Sequence, residues 1–277
     1  MKRLLPPALL LPLLLTSWLL ARPALGAEVM YLANEGVLVR EGEISIAFDP
    51  LFRYRSDYYQ MVPLALERAM LLGTSPFEDL DAVFVSHHHG DHFAANLILR
   101  LLEARESVQL FAPAQAVMDL ARLEPPESVM ARVHNVELGE GEAPWRFERA
   151  GLAVAAVRIP HAGWPNRRLD IQNLAFRVTL DDRTTVLHLG DADPRTLHFS
   201  PFETLWEDGA TTLAMPPYWF FLSEEGRLVI NGILRPQRAV GVHIPADPAE
   251  RPSALEAYEV FTEPGERLLL NQEPAPN

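Results

Sequence analysis

The chain has 277 residues, 48% hydrophobic and 22% charged. It is long enough for one large domain or two modest ones, and this composition excludes a disordered or fibrous protein. The absence of cysteine excludes disulfides, thiolate metal ligands and cysteine nucleophiles, and the formal net charge of −13 argues against binding to nucleic acid.

The first 27 residues have the layout of a cleaved secretory signal peptide. Lys2 and Arg3 precede a long uncharged apolar stretch, and small residues follow where a cleavage site is expected, near Gly26 or Ala27. An uncleaved membrane anchor is the alternative, but three prolines weaken a membrane-spanning helix in this stretch. We therefore expect one domain over residues 28–277, located in the periplasm or secreted, with no stable membrane insertion after cleavage. No internal repeat or linker divides that part of the chain.

Hydrophobic patterns in the remaining chain predict strands with helices between them. Residues 61–72 are predicted to form a helix, and a second follows Phe93, because apolar residues recur there at the spacing of one buried helix face. Strands are predicted at 37–39, 44–48, 82–85, 108–111, 133–138, 152–159, 174–180, 185–189 and 239–243. This succession predicts a layered α/β architecture. A loop is expected at 123–127 and a tail at 273–277.

A histidine-rich segment follows the predicted strand at 82–85. Residues 86–92 read Ser-His-His-His-Gly-Asp-His. In an extended segment His87 and His89 project to the same side, whereas His88 projects to the other and is expected to pack or to support its neighbours.

The end of the same segment adds two more candidate ligands. A turn at Gly90 would let Asp91 and His92 point back towards the first two histidines. Two imidazoles plus a carboxylate–imidazole pair are what a two-metal site needs from one loop. A solvated histidine cluster is the alternative, and the flanking strand and helix argue against it.

Three further residues stand at or near the ends of predicted strands: His161, Asp191 and His243. Alone, each would more often be structural than functional. Together they complete the coordination that the histidine segment leaves unfinished. His161 with His87 and His89 makes one three-histidine site. His243 joins Asp91 and His92 in a second site, and Asp191 can bridge the two.

These motifs, in this order, resemble the metallo-β-lactamase fold superfamily over most of the chain. The resemblance implies an αββα sandwich of two mixed β-sheets flanked by helices. It also implies that Asp49, in the motif Phe48-Asp49-Pro50, supports the ligand loop without binding metal. Residues 31–39 and 46–52 are similar to the branch that holds ascorbate-phosphate lactonases and N-acyl-phosphatidylethanolamine phospholipase D.

The chain also departs from some members of that superfamily. It lacks the cysteine ligand of one lactamase subclass, it has the bridging aspartate that another subclass lacks, and His89 stands where the flavo-diiron reductases have an acidic residue. Antibiotic hydrolysis and oxygen reduction are therefore disfavoured.

The ligand set predicts two divalent metal ions, with zinc favoured by the number of imidazoles and manganese or iron as alternatives. A metal-bridging hydroxide would attack a small ester, lactone or phosphodiester, with Asp91 and Asp191 as the catalytic carboxylates. A metal-binding or sensor protein without turnover is the alternative function. The oligomeric state is left open.

The sequence offers only weak indications of the substrate. The aromatic run at 215–221, including Tyr218 and Trp219, either lines a pocket or packs in the core. Arg167 or Arg168, shortly after His161, is a candidate for binding a phosphate or carboxylate group, and simple surface solvation is the alternative for at least one of them.

Overall fold

The computed structural model describes residues 26–54 and 57–270. Residues 1–25 of the predicted signal peptide and the predicted tail at 273–277 lie outside them. The strands are β1 (Ala27–Ala33), β2 (Gly36–Glu41), β3 (Ile44–Phe48), β4 (Leu80–Phe84), β5 (Gln109–Pro113), β6 (Val133–Val136), β7 (Trp145–Arg149), β8 (Leu152–Arg158), β9 (Leu174–Leu180), β10 (Thr184–His188), β11 (Leu213–Met215), β12 (Arg238–Ala239) and β13 (Arg267–Leu270).

Helices connect and cover these strands. The α-helices are α1 (Leu64–Leu72), α2 (Ala95–Ala104), α3 (Ala114–Ala121), α4 (Glu127–Met130), α5 (Thr196–Phe199), α6 (Glu203–Trp206), α7 (Trp219–Leu222) and α8 (Glu224–Leu228). A π-helical segment (Val229–Leu234) follows α8, and short 3₁₀ turns occur at Ser200–Phe202, Pro248–Glu250 and Ser253–Ala257. In the part of the chain described, no helix is long and apolar enough to cross a bilayer.

The strands form two mixed sheets. The first has the order β13-β1-β2-β3-β4-β5-β6, and the second has the order β12-β11-β10-β9-β8-β7. In the first sheet the pairs from β13 to β3 are antiparallel and those from β3 to β6 are parallel. In the second sheet β10, β11 and β12 pair in parallel and the remaining pairs are antiparallel.

Side chains alternate between two sides of each sheet and so produce three apolar layers. On β2, Val37 and Val39 enter the layer between the sheets, whereas Leu38 enters the layer beneath α1, α2, α3 and α4. On β10, Val186 faces the opposite sheet and Leu187 faces the layer shared with α5, α6 and α7. This is an αββα sandwich, as the sequence predicts.

The predicted elements agree with the structure where apolar patterns are long. The predicted strands at 44–48 and 174–180 coincide with β3 and β9. The first helix begins at Leu64, three residues after the predicted start at residue 61. Its N-cap residue, Pro63, has a non-helical backbone conformation. The predicted strand at 239–243 is mostly wrong: β12 ends at Ala239, and only isolated bridges at Gly241 and Val242 follow. The predicted loop at 123–127 ends where α4 begins, at Glu127.

Candidate metal centre

The histidine-rich segment lies between β4 and α2, at the carboxyl end of β4. The backbone amides of His92 and Phe93 both donate to His89 O, at 3.0 and 2.9 Å, and thereby close a tight turn. Asp91 and His92 lie in that turn and not in the helix itself, which begins at Ala95. The turn directs their side chains back towards His87 and His89.

Three histidines and one carboxylate form the first cluster. His89 Nδ1 lies 3.0 Å from His87 Nε2 and 3.2 Å from His161 Nε2. Asp191 Oδ2 is 3.2 Å from His161 Nε2 and 3.9 Å from His87 Nε2. The donor atoms of these four residues therefore surround a single point.

The second cluster shares Asp191 through its other oxygen. Asp191 Oδ1 is 3.0 Å from His243 Nε2 and 3.3 Å from His92 Nε2, and these two nitrogens are 3.3 Å apart. Asp91 Oδ2 lies 3.6 Å from His243 Nε2 and 3.7 Å from His92 Nε2. The structure thus brings all seven candidate ligands into two adjoining clusters, with Asp191 between them.

Hydrogen bonds on the outer side of three imidazoles fix their tautomers. His92 Nδ1–H donates to Asp49 Oδ2 at 2.9 Å, and His161 Nδ1–H donates to Ala162 O at 3.0 Å. His87 Nδ1 is 3.0 Å from Ser86 Oγ, whose own hydrogen goes to Asp49. Because each proton is used on the outer nitrogen, each Nε2 keeps a lone pair that faces the clusters.

Asp49 organises the start of the histidine segment. Its carboxylate accepts hydrogen bonds from Ser86 N at 2.7 Å, from Ser86 Oγ at 2.5 Å and from His92 Nδ1 at 2.9 Å. It lies behind His92, so it contacts a candidate ligand but does not enter either cluster. This is the position that the resemblance to the superfamily implies.

Gly190 lets Asp191 approach the histidines. Its φ of +54° is in the left-handed region that favours glycine. A Cβ atom at this position would lie 2.4 Å from Asn173 Oδ1 and 2.6 Å from Ser86 Cβ, both of which are fixed in the buried interior. Only glycine therefore allows the loop after β10 to pack against the histidine segment.

The turn between β1 and β2 contacts the site from beneath. Asn34 Nδ2 donates to Asp91 O at 2.9 Å, and Asn34 O accepts from the His243 amide at 2.9 Å. The next residue, Glu35, is fully buried, and its carboxylate lies within 4.8 Å of ligand atoms of Asp191 and His243. Sequence analysis missed both residues, since a polar pair between two strands resembles an ordinary hairpin turn.

His188 connects this turn to the Asp191 loop. Its Nδ1 accepts from the Gly190 amide at 3.3 Å, so its Nε2–H donates to Glu35 O at 3.0 Å. The ring also stacks on Phe48, with centroids 4.9 Å apart. It supports two loops of the site without facing either cluster. His88, as predicted from its direction, points away from both clusters and lies 3.2 Å from Asp119.

Burial and neighbouring charges shift the pKa values of the clustered groups. Burial and the adjacent His161 lower the pKa of His89 to about 4. For His243, burial opposes the charged form, but Asp191 and Asp91 outweigh it and raise the pKa to about 9. Burial raises the pKa of Glu35 well above that of an ordinary carboxyl group. The carboxylates of Asp191 and Asp91 therefore favour positive charge at the second cluster.

A cavity of about 430 Å³ opens over the two clusters. Its lining includes Tyr54, Tyr59, Trp219, Arg167 and Arg168, together with several candidate ligands. The rings of Tyr59 and Trp219 meet the His243 ring edge-on, at centroid distances of 4.4 and 5.1 Å.

The two halves of the aromatic run at 215–221 behave differently. Trp219 lines the cavity, and its Nε1–H donates to Ala192 O at 3.0 Å, whereas Phe220 and Phe221 pack in the core. Tyr218 is absent from the cavity lining found in the described residues and is hydrogen-bonded to Tyr58. Sequence analysis missed Tyr54 and Tyr59, because nothing in the local pattern around them indicates a site.

The donor set fits divalent metal ions. Asp191 Oδ1 makes no hydrogen bond to any described residue although it is buried, and the Nε2 atoms of His92 and His243 lie 3.3 and 3.0 Å from it. Lone-pair donors so close together repel one another unless a cation or proton lies between them. Imidazole nitrogens and carboxylate oxygens are ligands that zinc, manganese and iron accept.

Comparison with known proteins agrees with this geometry. The profile of the family described as "Beta-lactamase superfamily domain" matches residues 46–244, more than two thirds of the chain. The chain belongs to this superfamily. The match includes all seven candidate ligand positions, from His87 to His243. Among proteins with curated functions, none is significantly similar in sequence.

Several solved structures share the fold. A metallo hydrolase from the archaeon Ignicoccus hospitalis is 19% identical, with a TM-score of 0.56 over 89% of this chain and 99% of that one. A protein from Veillonella parvula, described as a possible metal-dependent hydrolase, is 14% identical, with a TM-score of 0.62 over 88% and 100%. An isothiocyanate hydrolase from Delia radicum gut bacteria is 11% identical, with a TM-score of 0.60 over 87% and 98%.

The predicted superfamily and the predicted αββα architecture are thus confirmed. The chain has the fold of the metallo-hydrolases of this superfamily, with a candidate His/Asp metal centre. The narrower resemblance to the branch of lactonases and phospholipase D stays a prediction.

Proposed function

We propose that this protein is an exported hydrolase that uses two divalent metal ions, most readily zinc, to cleave a small ester, lactone or phosphodiester. The observation that carries the proposal is the position of Asp191, whose two oxygens face two different groups of histidines. A carboxylate placed in this way suits two cations held at a fixed separation.

Each group of ligands would hold one ion. His87, His89 and His161 would bind the first, and Asp91, His92 and His243 the second. Two such ions lower the pKa of a water molecule towards neutrality and polarise the substrate oxygen that gains charge.

The protein's own groups would orient the reaction. The side chain of Asp91 is buried and borders the cavity, so its free oxygen can accept a hydrogen bond from the attacking water. Asp49 and Ser86 would keep His92 and His87 in the tautomers that bind metal.

The cavity lining suggests how a substrate would be held. Arg168 Nη1 lies 3.5 Å from His161 Nδ1, which places positive charge on the first-cluster side of the cavity. Tyr59 and Trp219 pack on His243, on the second-cluster side. We infer that Arg167 and Arg168 bind an anionic substituent of the substrate and that Trp219 contacts an apolar part. Tyr218, which does not line this cavity, is not part of the proposal.

The test combines metal analysis with the Asp191→Asn variant. The purified protein should contain two divalent ions per chain, and generic phosphodiesters or lactones should be hydrolysed. Asp191→Asn should lose at least about a hundredfold in kcat/KM, because an amide is neutral and its nitrogen is not a metal ligand.

Asp193→Asn is the matched control for this experiment. Asp193 is equally buried and two residues away, but its carboxylate faces His198 at 3.4 Å and neither cluster. Its variant should keep nearly full activity. Two bound ions without turnover of any ester, lactone or phosphodiester would instead support a metal-binding or sensor protein. N-terminal sequencing of protein from a periplasmic fraction tests export.

A further inference from the structure

Glu35 is a buried carboxylate that the seven-ligand scheme does not use. Its exposed surface is 0%, and neither carboxylate oxygen has a hydrogen-bond partner among the described residues. Oε2 lies 3.5 Å from His188 Nε2 and 3.9 Å from His92 Nδ1. An unpaired carboxylate in such a place is costly, and such groups in proteins are normally paired with a cation or neutralised by a proton.

The backbone holds this side chain in place. Glu35 O accepts from His188, and the neighbouring Asn34 bonds to the backbones of Asp91 and His243. The turn is therefore tied to three parts of the site, and the carboxylate cannot move out to solvent without breaking these contacts.

The charge of the site also favours a role for Glu35. Two divalent ions would bring four positive charges into a buried region whose histidines are neutral when they bind metal. Asp49, Asp91 and Asp191 are the other buried carboxylates there, and they supply only three negative charges. Glu35 adds a further buried carboxylate on the side of the second cluster, where a bound cation would offset its charge.

We propose that Glu35 belongs to the metal centre, as the negative charge required for the second ion to bind beside His92 and His243. This inference rests on the proposed two-metal function. Glu35 acts here as a positioning group for the ion and is not proposed to touch the substrate.

The experiment measures metal binding by two variants, independently of activity. Glu35→Gln keeps the shape and removes the charge, whereas Glu35→Asp keeps the charge on a shorter side chain. Metal-free protein is titrated with Zn²⁺ against a chelating dye, and the bound metal is measured by elemental analysis. Thermal melting of the metal-free variants shows that they fold.

Glu41→Gln is the matched control. Glu41 is 2% exposed and lies at the far end of β2, where its carboxylate accepts from Thr184 Oγ1 at 2.8 Å. Its variant should bind both ions as the wild type does.

For Glu35→Gln we expect the affinity for the second ion to fall by about tenfold or more, with the first ion unaffected. Glu35→Asp should recover part of that loss. Two ions bound to Glu35→Gln with wild-type affinity would overturn the inference and leave the proposed function standing. A third outcome is a wild type that binds two ions but hydrolyses nothing, together with a Glu35→Gln variant that loses the second ion. This outcome would support the inference and reject the proposed function. A wild type that binds fewer than two ions would reject both.

Discussion

Replacing Asp49 by asparagine tests whether groups outside the clusters control metal binding. Asp49 accepts three hydrogen bonds, from Ser86 N, Ser86 Oγ and His92 Nδ1. Asparagine has the same size but only one acceptor oxygen. When that oxygen accepts from Ser86 N, as Oδ1 of Asp49 does, the amide nitrogen faces His92 and cannot accept from it. The His92 proton then moves to Nε2, which faces Asp191 Oδ1 at 3.3 Å and would have no lone pair for a metal.

The expected loss follows from this geometry. Removing the partner of a metal-binding histidine typically weakens metal affinity about 10–100-fold, which is roughly 1.4–2.8 kcal/mol. The free energy of unfolding should also fall, because a hydrogen bond to a charged acceptor contributes about 1.5–3 kcal/mol. Competition with a chelating dye measures the affinity, urea denaturation of the metal-free protein measures folding, and the ¹⁵N shifts of His92 report its tautomer.

Asp81→Asn is the control for general effects on the sheet. Asp81 also accepts from a backbone amide, that of Ser45 at 2.9 Å, and it pairs with Arg149 at 2.7 Å, near the other end of β4. Its variant should keep wild-type metal affinity. The reasoning would be refuted if Asp49→Asn bound metal within twofold of the wild type, or if Asp81→Asn lost as much affinity.

Three further predictions concern stability. Metal removal by a chelator should lower the melting temperature by roughly 5–10 °C, since an ion at a hundred times its Kd stabilises the folded protein by about 2.7 kcal/mol. An unchanged melting transition in calorimetry would contradict bound metal. Gly190→Ala should destabilise by about 2–5 kcal/mol in urea denaturation, from left-handed strain plus the contacts with Asn173 and Ser86. Gly141→Ala, with φ of +73° and nothing within 4 Å, should show the strain alone, and equal losses at both sites would contradict the close packing. Phe176→Ala should cost about 3–5 kcal/mol because Phe176 is fully buried between the sheets, and a loss below 1 kcal/mol would contradict that packing.

The sequence was most informative where one short segment determines the geometry. The spacing of His87 and His89 places them on one side of an extended segment whatever the rest of the fold does. β3 and β9 agree with their predicted bounds because mostly apolar segments are typical of strands buried on both faces. Strands with few buried side chains were not predicted. β7 alternates half-buried and exposed residues, and only one residue of β13 is buried.

The residues of the site also differ in whether the sequence identifies them. The candidate ligands were recognisable because histidine and aspartate at strand ends are informative residue types, and the resemblance to the superfamily supplied the role of Asp49. Asn34, Glu35 and Tyr59 carry no such pattern. They reach the clusters only because the β1–β2 turn and the segment after β3 fold against the loops that carry His188 and His243.

By itself, then, the sequence determined the superfamily, the layered arrangement of strands and helices, and the set of groups able to bind metal. Tertiary structure alone decided which oxygen of Asp191 faces which histidines, that Trp219 and not Tyr218 borders the cavity, and that the Glu35 carboxylate lies beneath the second cluster without a hydrogen bond to any described residue. The physical reason is that local patterns record the face on which a side chain lies. Distances between segments more than 100 residues apart depend on how the two sheets and their connecting loops pack.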